Sequence, residues 1–136
     1  MTFFTDEISI STSSKVDVID ITDMVINAVK KHDPKNGLIS LNLRHTTCGI
    51  TINEAETNLI RDIKETLLNL IPENKSYYHN RIDTNAHAHL RSTLFGDSKV
   101  LPVINGKLSL GTWQRILLLE SDGPRIRHLT ITFVGE

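Results

Sequence analysis

The dipeptide Asn105-Gly106 lies inside "SKVLPVINGKLSLGTWQRILLLESD" (98–122), between two apolar runs. A two-residue link of this composition accepts positive φ at both positions and joins neighbouring antiparallel strands. The final stretch, "RIRHLTITFVG" (125–135), alternates Ile126, His128, Thr130 and Thr132 against Arg127, Leu129, Ile131 and Phe133. That is the period of a strand. The C-terminal half therefore commits the chain to antiparallel sheet.

The N-terminal half mixes two periods. "FFTDEISIST" (3–12) carries Ile8 and Ile10 in alternation and reads as a strand. "DITDMVINAVKKH" (20–32) sets Ile21, Val25, Ala28 and Val29 at helical spacing, with Asp20 or Thr22 as a cap and Lys30 and Lys31 at the C-terminal end. "DPKNG" (33–37) breaks that helix. "LISLNLRHT" (38–46) is a strand whose apolar side ends on His45. In "NEAETNLIRDIKETLLNLIP" (53–72), Leu59, Ile60, Ile63, Leu67, Leu70 and Ile71 form one helical stripe. "ENKSYYHNRIDTN" (73–85) has no period and reads as an ordered loop. These elements predict one α+β domain over residues 1–136, compact, with a largely antiparallel sheet of six or seven strands and about three helices.

Charge and cysteine content remove several classes of function. A net charge of −1 gives no electrostatic footprint for nucleic acid or an anionic membrane. Cys48 is alone, which excludes an intramolecular disulfide and a cysteine-rich zinc site. "MTFFTDEISI" lacks the basic and apolar regions of a signal peptide, and no run approaches the roughly 18 apolar residues of a membrane span. The expected compartment is the cytoplasm.

"DTNAHAHLRSTLFG" (83–96) holds His87 and His89 one residue apart. Thr84 or Asn85 can cap a helix here, Leu90 and Leu94 make an i,i+4 apolar pair, and Gly96 suits its end. In a helix the two histidines differ by roughly 200° of rotation and point to opposite sides, so at most one serves a given site. His89, near Ser92 and Thr93, is the expected site residue, and His87 is expected to face solvent. His45 ends a buried strand, where an imidazole needs a partner. His45, His79 and His89, with Glu54 nearby, could form a three-ligand catalytic zinc site with an open position. Their separations, 34 and 10 residues, match no local zinc motif.

"HTTCGITINEAE", "YYHN", "AHAHLRSTLFGDSKVLPVINGKLSLGTWQRILLLESDGPRIR" and the final "VGE" together resemble the YjbQ-like family over nearly the whole chain. The stretch from His89 through "GTWQ" to Glu120 is the most specific part. The resemblance implies a compact α+β domain that assembles as a homotrimer, with thiamine-phosphate synthase-like activity. It also implies that His45, His79 and His89 hold a divalent metal, most simply zinc, near a subunit boundary. His87 and His128 stand outside that pattern. Cys48 falls where the family often has serine or alanine, so it reads as a small buried filler beside Gly49.

Other polar positions carry two readings each. Glu54 is a fourth ligand, a general base on metal-bound water, or a carboxylate favoured at a helix start. Glu120, after "ILLL", is either an ion-pair partner of Arg125 or Arg127 or an acid/base group in a cleft. Arg125 and Arg127 share one face of an extended segment and could clamp a phosphate or carboxylate. Trp113 is core or a wall for a planar ligand, and Gln114 needs a polar partner in either case. The leading expectation is a metal-dependent enzyme for a small phosphorylated or anionic substrate. The alternatives are a zinc-dependent hydrolase and a non-catalytic trimer that binds a small ligand. The runs at 100–104 and 116–119 are expected to expose apolar strand surface that the trimer covers.

Overall fold

The alternation in the last stretch survives intact. Strand β8 (Ile126–Gly135) buries Arg127, Leu129, Ile131 and Phe133 and turns the intervening residues outward. The computed structural model describes residues 1–136. Ahead of β8 come β1 (Thr2–Ser11), β2 (Asp17–Asp20), α1 (Thr22–Lys30), β3 (Gly37–Leu43) and β4 (Cys48–Asn53). Then follow α2 (Thr57–Leu70), a 3-10 turn (Tyr78–Arg81), α3 (Ala86–Phe95), β5 (Ser98–Ile104), β6 (Lys107–Leu108) and β7 (Arg115–Glu120).

The α+β class and the antiparallel pairing hold, with eight strands rather than six or seven. They divide between a five-stranded sheet, β1-β8-β3-β5-β6, and a three-stranded sheet, β2-β7-β4. β2 and β4 are the strands that the period did not mark. β2 has four residues on a sheet edge, and β4 buries Cys48, Gly49 and Ile50 in succession, so neither shows a clean alternation. Because β4 runs to Asn53, helix α2 starts at Thr57 and not at 53; its N-cap is Glu56, whose carboxylate accepts from Leu59 N–H at 2.6 Å. Asn105 and Gly106 both have positive φ, as the hairpin requires.

The main core lies between the sheets. Ile39, Leu41, Leu43, Leu129, Ile131 and Phe133 from the larger sheet meet Ile50, Ile116 and Leu118 of the smaller one, with Val25 and Val29 of α1 closing one side. A second cluster, Val18, Leu117 and Leu119, packs on the far face of the smaller sheet against Ile60 and Ile63 of α2 and Phe95 of α3. Strand β7 is thus covered on both faces. The run at 116–119 is buried within one chain, which corrects the expectation that it offers surface for assembly. At 100–104 the expectation holds on one side: Val100 and Ile104 are exposed while Leu101 and Val103 are buried.

Candidate functional site

Three chain segments converge on a cavity of about 770 Å³: the stretch after β3 with His45, the start of α3 with His89, and the turn into β8 with Arg125 and Arg127. Only one of its twelve lining residues is hydrophobic, which suits a polar ligand. Arg44, Thr46, Thr47 and Asp122 also line it. The sequence reading passed over these four, although Arg44 adjoins His45 and Asp122 belongs to the "DGPRIR" segment.

Burial makes the ion pair of β7 and β8 the anchor of this cavity. Glu120 and Arg127 are almost fully buried, at 1% and 2% exposure, where an unpaired charge would be costly. Arg127 donates from Nε to Glu120 Oε1 at 2.9 Å and from Nη2 to Glu120 Oε2 and Thr47 Oγ1. Glu120 further accepts from Thr12 Oγ1 at 2.7 Å and from the amides of Ser121 and Asp122. Of the two readings for Glu120, the structure places it as the ion-pair partner of Arg127, outside the cavity lining. Arg125 is exposed and donates to the Asp122 side chain and carbonyl, with no hydrogen bond from Nη1 within the chain.

His45 sits beside that pair. Its Nε2 accepts from the backbone N–H of His128 at 2.9 Å, and its Nδ1 lies 3.5 Å from Arg127 Nη1. Burial, with the nearby Arg127 and His128, holds its pKa below the ordinary value, which favours the neutral ring. His79, from the 3-10 turn, meets His89 of α3 edge-to-face at 4.8 Å between ring centroids, and His79 Nε2 is buried without a partner.

The expected three-histidine ligand set is not assembled by one chain. No group of three or more His, Cys, Asp or Glu side chains is placed to hold a metal. The donor set explains why: His45 has already committed Nε2 to an amide and turns Nδ1 toward a guanidinium, whose charge opposes a cation. Of the three, only His79 and His89 have their rings in contact. Glu54 and Trp113 line a separate cavity with Arg115, away from the histidines. Trp113 is 71% exposed, which answers the core reading. Gln114 finds its partner locally, accepting from Gly111 N–H at 2.7 Å.

His87 departs from expectation. It is buried at 1% exposure, not solvent-facing, and neither ring nitrogen has a partner. The helix and the opposed directions of His87 and His89 are as expected; the face that packs inward is the other one. Arg91, one turn on, donates from Nε and Nη2 to the Ile71 carbonyl at the C-terminal end of α2. That capping draws the His87–Arg91 face inward and leaves Leu90 and Leu94 exposed. Burial, then Arg91, lowers the His87 pKa. Cys48 is a buried filler as expected, and burial pushes its thiol up to about 11, far from a nucleophile's range.

A sequence profile described as UPF0047 protein YjbQ-like matches residues 6–136. A UPF0047 protein of Archaeoglobus fulgidus is 49% identical over 125 residues, 92% of this chain and 97% of that protein. One from Methanothermobacter thermautotrophicus is 43% identical over 136 residues, 100% of this chain and 95% of that protein. The crystal structure of a YbjQ-like protein of unknown function from Sulfolobus solfataricus superposes with a TM-score of 0.96 at 43% identity, covering 99% of both chains. A hypothetical protein from Aeropyrum pernix gives 0.96 at 42% identity over 98% of this chain and 99% of that one.

Proposed function

The chain belongs to the YjbQ-like UPF0047 family, and on that footing we propose that its polar cavity binds a small phosphorylated molecule and acts on it. The observation that supports this most is the meeting of Arg44, Arg125 and Arg127 with His45 around one cavity. Guanidinium groups present paired donors that match phosphate oxygens. A neutral imidazole beside them can exchange a proton with a bound ester or leaving group. Thiamine-phosphate synthase-like transfer, in which pyrophosphate leaves, belongs to this class, as does hydrolysis of a phosphate ester.

A second reading adds a divalent metal, zinc by its imidazole donors, on His79 and His89, with further ligands from outside this chain. The unpartnered, buried Nε2 of His79 favours it. Calorimetric titration with inorganic phosphate and, separately, with zinc tests both readings. Phosphate should bind the wild type and bind Arg125→Ala roughly tenfold more weakly, the loss of one charged hydrogen-bonding group. No phosphate binding at millimolar concentration overturns the first reading. Zinc binding that is unchanged in both His79→Ala and His89→Ala overturns the second. Phosphate binding without turnover of any phosphate ester would leave a binding protein, not an enzyme.

The homotrimer belongs to the same proposal. Across the outer face of the larger sheet, Phe3 pairs with Val134, Val134 with Leu38 and Leu38 with Pro102, an apolar row spanning four strands. Phe3, Leu38 and Val134 are exposed, as are Val100 and Ile104 nearby. A contiguous apolar face of this kind favours a protein partner, and closed cyclic assembly of identical chains covers it. Light scattering should return about three times 15.3 kDa. A monomeric mass at micromolar concentration would remove the trimer.

A further inference from the structure

We infer that His45 Nδ1–H and Arg127 Nη1 form a two-donor subsite for one phosphoryl oxygen at the floor of the cavity, and that His45 is not a metal ligand. This deepens the phosphate reading and rests on it.

A backbone amide can only donate, so the 2.9 Å bond from His128 N–H requires a lone pair on His45 Nε2. A neutral imidazole carries one proton, which must then sit on Nδ1. The reversed ring would put a carbon against the His128 amide and lose that bond, so the orientation is fixed by the network. Nδ1 lies 3.5 Å from Arg127 Nη1, and a guanidinium nitrogen is also only a donor. Two N–H groups that face each other cannot bond. They can share a third atom that accepts from both.

The rest of Arg127 is occupied. Nε serves Glu120, and Nη2 serves Glu120 and Thr47, which leaves Nη1 with His45 as its sole neighbour in polar contact. Both residues line the cavity, at the edge of an otherwise buried network. Two convergent donors, one of them charged, select an anionic oxygen. Thr46 and Arg44 line the same cavity and carry further donors for the remaining oxygens of a phosphoryl group. A cation on Nδ1 would require removing its proton and would sit beside the guanidinium. A cation on Nε2 would strip the His128 amide of its acceptor. Neither arrangement is compatible with the bonds in place.

Two measurements test this. Nitrogen-15 NMR of the imidazoles in the ligand-free wild-type protein should show His45 as the Nδ1–H tautomer, with that proton shifting when inorganic phosphate is added. Phosphate titration of His45→Asn and His45→Gln supplies the second arm. Asparagine places an amide N–H near the position of Nδ1, whereas glutamine reaches the position of Nε2. His45→Gln should weaken phosphate binding roughly tenfold or more, and His45→Asn should stay within about threefold of wild type. A wild type that binds phosphate but shows the Nε2–H tautomer, or equal affinity in His45→Gln, overturns the subsite and leaves the phosphate reading standing. A wild type that binds no phosphate overturns both. Zinc added to the wild type should leave the Nδ1 resonance of His45 in place; its loss to a metal-bound signal also overturns the proposal.

Discussion

Glu120→Leu should lower the free energy of unfolding by about 4 kcal/mol, and adding Arg127→Met should return the part of that loss that comes from the unpaired charge. The single change leaves a guanidinium at 2% exposure with Thr47 as its main remaining partner in place of a carboxylate that accepts five hydrogen bonds. An uncompensated buried charge is costly, whereas two apolar side chains remove the charge and its partner together and leave only the Thr12 hydroxyl and the Ser121 and Asp122 amides without that acceptor. For a domain of this size, about 4 kcal/mol corresponds to a melting temperature roughly 15 °C lower. Urea denaturation of the two variants and the wild type reads the cycle. A single variant within about 1 kcal/mol of wild type, or a double variant less stable than the single, would show that the pair is not the electrostatic anchor described above. The folded double variant should also bind phosphate roughly tenfold or more weakly, because Arg127 Nη1 is gone while the fold remains. That separation distinguishes a site effect from a folding effect.

Phe133→Ala should cost about 3–5 kcal/mol, the usual range for a fully buried ring replaced by a methyl group. Phe133 is fully buried on β8, the strand between β1 and β3, and stacks on Phe4 with ring centroids 5.0 Å apart. Its partner on β3 is Ile39; Gly37, two residues earlier and paired with Gly135, is where an added Cβ would lie 3.0 Å from the Phe133 ring and closer still to the Val134 carbonyl oxygen. This geometry makes a sharp secondary expectation. Gly37→Ala should itself destabilise, by about 1–3 kcal/mol, and should not rescue Phe133→Ala even though it adds volume beside the cavity. The clash is with backbone, which deleting the ring does not relieve. Equilibrium unfolding of the double variant at or above the stability of Phe133→Ala alone would contradict that account.

Local period was enough to determine much of this protein. Alternation in 125–135 placed Arg127 on the same face as Leu129, Ile131 and Phe133, and the Asn105-Gly106 turn fixed an antiparallel hairpin. Helical geometry separated His87 from His89 and kept them from serving one site. These statements follow from the backbone's own repeat, which a few residues carry by themselves. Which face becomes the inside is not a local property. His87 was expected outside and lies inside, because Arg91 on the same face reaches the Ile71 carbonyl of another helix. The 116–119 run was expected to seek a partner and finds it within the chain, because β7 lies between a larger sheet and two helices. His45 and Arg127 are 82 positions apart, and their meeting depends on β3 pairing with β8. So does the direction of His45's proton, set by an amide of the strand that carries Arg127. The sequence supplied donors, acceptors and their spacing along each element. Only packing decided which of them share a dry interior, because burial and long-range pairing are properties of surfaces brought together and not of any one segment.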